Sequence, residues 1–297
     1  MIARVISVVI LATFLIGCSA EHQTLGKPEI KEISNQWGEV TASTTEIVTK
    51  IKVYNPNPLP LPLKDVLTEV YINGVKIGEG SALKAEIKAN SKSTILIHTK
   101  LENSKIPKWW ILHIKNGEKS NMHIKGYLVF DLLITEFKYP IDMTKLIETD
   151  ILAGLTSAVP KKVKSGTISL EIESVKSYWG EVNEDYTEII TEVKIRNENS
   201  DTISVSRIRH SVLLNDIAFA QYSSDVDAVI QPKSDTTLRI TTKLDNKMLD
   251  EWWVSHVRNG EKTKVEVSLQ SAVEIFGEEV TLSLVKRETV FKTNLLG

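Results

Sequence analysis

Thr45-Glu46-Ile47-Val48-Thr49-Lys50-Ile51-Lys52-Val53-Tyr54-Asn55 and Thr187-Glu188-Ile189-Ile190-Thr191-Glu192-Val193-Lys194-Ile195-Arg196-Asn197 are one stretch written twice. In the first, Ile47, Thr49, Ile51 and Val53 fall on one side of a period of two, while Glu46, Lys50 and Lys52 fall on the other. Ile189, Thr191, Val193 and Ile195 repeat the arrangement. Alternation of this kind specifies antiparallel strands with one buried and one wet face. A second alternating run, Ile95, Ile97, Thr99 and Leu101, returns as Leu238, Ile240, Thr242 and Leu244.

Working outward from these strands, the whole chain divides into two copies of one unit. Gln36-Trp37-Gly38-Glu39-Val40 recurs as Tyr178-Trp179-Gly180-Glu181-Val182, and Asn55-Pro56-Asn57-Pro58 corresponds to Asn197-Glu198-Asn199-Ser200. Trp109-Trp110, His113 and Asn116-Gly117-Glu118-Lys119 match Trp252-Trp253, His256 and Asn259-Gly260-Glu261-Lys262. The offset grows by one residue between Asn215 and Ile230, and Thr149-Asp150-Ile151-Leu152 pairs with Thr293-Asn294-Leu295-Leu296. The repeats predict domains over 28–158 and 168–297, joined by a polar linker at 159–167. Asn73-Gly74 between apolar runs predicts a type I′ hairpin, because both residues tolerate positive φ. Later strands are expected at Met122–Phe130 with Leu132–Phe137, and at Thr263–Leu269 with Glu279–Leu284. Pro107 opens and Gly117 closes one short helix per unit. Seven or so strands in each unit predict an all-β chain of two tandem immunoglobulin- or fibronectin III-like Greek-key β-sandwiches, each plugged at one end by its helix.

Residues 1–18 are of a different kind. Val5 to Ile16 are almost wholly apolar, too short a run for the roughly 20 residues of a spanning helix and suited to a signal peptide. Leu15-Ile16-Gly17-Cys18 resembles a prokaryotic lipobox, and Cys18 is the one cysteine in the chain. Acylated Cys18 is therefore expected to be the first mature residue and to hold the protein on the outer side of the cell membrane, with 19–27 as tether. Two acyl chains anchor stably because each buried methylene contributes about 0.8 kcal/mol. With a single thiol, the domains rely on core packing and not on an internal disulfide. Lys plus Arg number 36 against 38 acids, interleaved along the chain, so no basic block offers the surface nucleic acid requires. The 42% apolar and 25% charged composition is that of a folded chain and not of a disordered one.

Candidate chemistry is sparse. No Gly-x-Ser-x-Gly elbow, phosphate-binding Gly-x-x-x-x-Gly-Lys or His-Glu-x-x-His occurs, and no metal, cofactor or small-molecule substrate is implied. His113 and His256 recur at matching places beside the tryptophans and are read as packed side chains, without further ligands at matched spacing. Glu39 and Glu181 are read as solvated turn residues. Trp109, Trp110, Trp252 and Trp253 are the candidate interaction residues. Adjacent helix positions point about 100° apart. One ring of each pair is thus expected in the core and the other covering the sandwich rim; the alternative is a contact with a membrane interface or an unfolded client, since an indole is amphipathic.

The Asn-Pro-Asn-Pro turn, the Trp-Trp-x-x-His-x-x-Asn-Gly-Glu segment and the closing Thr-Asp-Ile-Leu resemble the WHy domain of the type 2 late embryogenesis abundant family. Tandem copies behind a lipobox look like its archaeal and bacterial members. That resemblance implies a folded, non-catalytic protein linked to desiccation, freezing or osmotic stress. The leading expectation built on it is a membrane-anchored protein that stabilises envelope or client proteins under such stress. The alternative expectation is a cell-surface binding, adhesion or assembly module that holds an envelope partner. The second copy departs from the motif in lacking both prolines at Asn197–Ser200, which predicts a looser loop there.

Overall fold

The computed structural model describes residues 26–82, 85–131, 135–156, 160–166, 168–275 and 277–296. The predicted signal peptide, Cys18 and residues 19–25 of the tether lie outside the described residues. Among the described residues, no helix is long and apolar enough to cross a membrane.

The first domain comprises β1 (Glu29–Val40), β2 (Thr44–Asn55), β3 (Leu61–Ile72), β4 (Val75–Ala82), β5 (Ala85–Ile87), β6 (Ser91–Glu102), α1 (Ile106–Lys115), β7 (Lys119–Asp131) and β8 (Glu136–Glu148). The second comprises β9 (Lys161–Ser165), β10 (Ile168–Val182), β11 (Tyr186–Asn197), β12 (Ile203–Leu214), β13 (Ile217–Ile230), β14 (Asp235–Asp245), α2 (Leu249–Arg258), β15 (Lys262–Ile275) and β16 (Glu278–Lys292). Among the described residues, the chain is therefore two all-β units with one ten-residue α-helix each. The strand expected at Leu132–Phe137 is displaced: β8 begins only at Glu136 and runs to Glu148, so that residues 137–145 pair with Met122–Phe130. β16 covers the expected Glu279–Leu284 and extends to Lys292. Both hairpin residues of the first domain have positive φ, 48° at Asn73 and 78° at Gly74, as a type I′ turn requires.

The two units close differently, and two glycines explain it. In the second domain β9-β10-β11-β14 faces β12, β13, β15 and β16, giving two four-stranded sheets. In the first, β4 bridges β3 and β6, so one eight-stranded sheet curls round in the order β1-β2-β6-β4-β3-β7-β8 with β5 beside β3. Gly78 and Gly80 allow that bridge. A Cβ at Gly80 would stand 1.9 Å from Thr68 Oγ1 and 2.5 Å from Thr99 Oγ1, and one at Gly78 would meet the Lys100 carbonyl at 2.5 Å. Tyr222 occupies the position of Gly80, opposite His210 where Gly80 is opposite Thr68. Its ring stacks on His210 at 4.8 Å, and its hydroxyl accepts from Lys243 N and donates to the Thr241 carbonyl at the edge of β14. A side chain thus fills the gap that backbone hydrogen bonds close in the first domain.

The loop that lacks proline is as firmly tied as its counterpart. Asn55 Nδ2 donates to the Leu59 carbonyl at 2.8 Å, and Asn197 Nδ2 to the Asp201 carbonyl at 2.8 Å. Asn57 N donates to Asn55 Oδ1 at 2.9 Å, as Asn199 N does to Asn197 Oδ1. The asparagines organise this turn and the prolines do not, which corrects the expectation of a looser second loop. The predicted linker also contributes structure: β9 pairs antiparallel with β10, Lys161 opposite Ile172 and Ser165 opposite Ile168.

Candidate functional site

Each helix ends on an unusual backbone. After α1, Gly117 (φ 68°) and Glu118 (φ 60°) are both left-handed; after α2, Gly260 (φ 67°) and Glu261 (φ 59°) repeat this. A left-handed conformation costs an L-residue roughly 1–2 kcal/mol, and at Glu118 it turns a carboxylate inward. Its Oε2 accepts from Thr149 Oγ1 and from Ile151 N, both at 2.7 Å. Its Oε1 accepts from Trp179 Nε1 of the other domain at 2.8 Å. Glu261 returns the set: Thr293 Oγ1 at 2.9 Å, Leu295 N at 2.6 Å, and Trp37 Nε1 of the first domain at 3.1 Å.

The tryptophan pairs follow the same reciprocity. Trp109 and Trp252 donate within their own domains, to Ser120 Oγ and Thr263 Oγ1, each at 2.9 Å. Trp110 and Trp253 cross over. Trp110 Nε1 donates to Thr187 Oγ1 at 3.0 Å, and Trp253 Nε1 to Thr45 Oγ1 at 2.9 Å. Those hydroxyls pass the bond on to Asn246 Oδ1 and Asn103 Oδ1. The rings meet edge to face, Trp37 on Trp253 and Trp110 on Trp179 at 6.1 Å and 86° in both cases. Trp109 on Trp253 (5.7 Å) and Trp110 on Trp252 (5.3 Å) complete the cluster. All six tryptophans of the chain therefore stand at the boundary between the domains. A contact of residue i with j′ that is answered by j with i′ is the signature of an isologous interface, here formed inside one polypeptide.

This arrangement corrects the expectation of a rim-facing indole. Both rings of each helix are at most 2% exposed, because the partner domain covers the face that one sandwich alone leaves open. Trp109, Trp110, Trp252 and Trp253 are thus placed in an internal junction and not on an outer surface.

The histidines complete the network. Ser120 Oγ already accepts from Trp109 Nε1 and Asn73 Nδ2, so its own proton goes to His113 Nδ1 at 2.8 Å. That assigns the proton of a neutral imidazole to Nε2, which faces Thr149 Oγ1 at 2.9 Å, and Thr149 passes its proton to Glu118. His256 lies likewise between Thr263 Oγ1 and Thr293 Oγ1. Burial pushes both imidazoles down to about 4, against an opposing pull from the nearby Glu118 and Glu261 carboxylates. Chemically the assembly is a joint with its polar atoms paired. Among the described residues, no three His, Cys, Asp or Glu side chains gather as metal ligands do.

Sequence reasoning located the tryptophans and histidines but missed Trp37, Thr45, Glu118 and their counterparts as parts of one site. The signal was present, since all recur at the repeat offset. What lacked was the fact that each reaches across to the other copy.

Against known proteins, the family model described as late embryogenesis abundant protein matches residues 50–145 and 192–287. An uncharacterized protein of Methanocaldococcus jannaschii is 27% identical over 169 residues, covering 53% of this chain and 91% of that protein. A crystal structure of an Archaeoglobus fulgidus protein is 38% identical, covers 42% of this chain and 99% of its own, and superposes with a TM-score of 0.41. A solution structure from Arabidopsis thaliana is 17% identical over 42% of this chain and 82% of its own, with a TM-score of 0.31.

Proposed function

The chain belongs to the late embryogenesis abundant family, in two tandem copies, and from that premise we propose that it is a non-catalytic protective protein tethered to the outer face of the cell membrane through acylated Cys18. The observation that carries the reading is where the residues of the family resemblance go. Tryptophan and glutamate are spent on holding one domain to the other, and the histidines on bracing those side chains from within each domain.

A body built this way suits work at low water activity. Its junction is buried, and its bonds run between protein groups. The surface it presents is a mosaic of opposite charges, such as Lys52 with Glu32 at 2.7 Å and Arg196 with Asp235 at 2.9 Å. Exposed pairs like these contribute little to stability, but they keep charge of both signs toward membrane and client proteins. Held at the envelope, such a body separates unfolding clients as water is withdrawn and limits their aggregation.

Two measurements test the reading. Radiolabelled fatty acid is expected to enter the wild-type protein in cells and to be absent from Cys18→Ser, which should leave the membrane fraction. The chain from Ser19 onward is expected to preserve a labile enzyme through drying and freeze–thaw well above an unrelated β-sandwich of equal mass. Equal recovery with both proteins would contradict the protective role.

A further inference from the structure

The two domains differ most along one seam. In the second domain the gap between β10 and β16 is closed by chain that precedes it. Ala153–Leu155 packs against β16, Leu155 is buried, Thr156 Oγ1 accepts from Ser177 N at 3.3 Å, and β9 follows along β10. Val175, on the wall of that seam, is 5% exposed. The side chains beneath are bulky, and β16 inserts an extra residue, Leu284, at a bulge opposite Leu269 and Gln270. The bulge also explains why Thr293 lies one residue further from its counterpart than Glu261 does.

In the first domain the equivalent seam, between β1 and β8, is left open among the described residues. Ile33, the counterpart of Val175, is 42% exposed, and so is Met143 across from it. Thr68 and Gly126 stand where the second domain has His210 and Leu269. A cavity of about 260 Å³ lies along the junction half of this seam, walled by Asn35, Ile47, Met122, Ile124, Met143 and the chain-end pair Leu295 and Leu296. It adjoins a smaller apolar cavity of about 40 Å³ that reaches Thr68. At its wall sits Lys145, whose Nζ is buried and meets no acceptor among the described residues. The residue at that place in the second domain is Thr289, covered by Gly154. A buried ammonium without a counter-charge is unfavourable, so the site calls for an anion beside an apolar body.

We propose that this seam of the first domain binds a single-chain anionic amphiphile, a fatty carboxylate in its simplest form. Its acyl chain takes the place that Leu155 fills in the second domain, and its head pairs with Lys145. The volume selects one chain, since about 260 Å³ is below the roughly 300–1,000 Å³ of ordinary small-molecule sites and has no room for two. Lys145 selects the charge, through a charge-assisted hydrogen bond stronger than a neutral one.

The test is a calorimetric titration of the two-domain chain from Ser19 with dodecanoate below its micellar concentration, beside dodecanol and dodecyltrimethylammonium of equal chain length. Saturable one-to-one binding of dodecanoate is expected, with the cationic analogue excluded. Lys145→Met should weaken dodecanoate by about tenfold or more, the loss of one charged pair, while leaving dodecanol unchanged. Lys145→Thr, which copies the second domain, should behave alike and guards against a folding defect, read from the tryptophan emission. Met143→Trp, at a half-exposed position that lines both cavities, should abolish binding of both ligands. No saturable binding, or binding that all three variants leave unchanged, overturns the site; equal affinity for dodecanoate and dodecanol overturns the role of Lys145.

Discussion

At the scale of single residues the structure turns on Glu118 and Glu261. Each accepts a left-handed backbone in return for three donors, one of them an indole from the other domain. Glu118→Ala leaves those donors buried without acceptors, at roughly 1–3 kcal/mol apiece, so a loss of about 3 kcal/mol or more in urea unfolding is expected. Glu118→Gln, which keeps one acceptor oxygen, should fall between. The histidines set the response to acid. Their folded values near 4 lie below the ordinary 6.5, so between those limits the unfolded chain takes up protons that the fold refuses. Stability is therefore full above about pH 6.5 and falls as pH drops toward 4, by as much as about 3 kcal/mol for each imidazole. His113→Gln, measured by urea midpoint against pH, should flatten roughly half of that slope. These roles were only partly legible in the sequence. The recurrence of His113 and His256 pointed to packing, but nothing local marks the carboxylate after Asn-Gly as a buried acceptor until its partners are in view.

At the scale of elements, the strands were legible because alternation over ten or more residues leaves one face no choice. How the sheets close was not, because it depends on a missing Cβ. Gly80 and Gly78 let β4 pair with both neighbours, whereas Tyr222 and Ala220 keep β13 from doing so, and no local pattern distinguishes the two. Gly80→Ala drives a methyl group into Thr68 and Thr99 and is expected to cost about 1–3 kcal/mol, the usual penalty of overpacking. Amide exchange should localise the damage, with protection falling in β4 and at Gly80–Thr99 first. Tyr222→Phe, which removes only the hydroxyl that ties β13 to β14, should speed exchange at Lys243 while leaving the β12–β13 ladder protected.

At the scale of the whole molecule, duplication has produced an internal twofold-like joint, and that is the part least visible in a linear reading. The repeat announced two domains; it did not announce that each would complete the other's core. Trp110 and Trp253 explain the difficulty, since on one sandwich alone their rings have no burial site, and periodicity within a repeat contains nothing about the neighbouring copy. The central claim is that the joint makes the two domains one cooperative unit. Equilibrium urea unfolding tests it most directly, with the tryptophan emission reporting the junction and a distant label in each domain, at Lys88 and at Lys233, reporting the two sandwiches. All three signals are predicted to change together, and Trp110→Ala to shift all three midpoints downward by the same amount. Separate midpoints, or a shift confined to the first domain's label, would contradict the account.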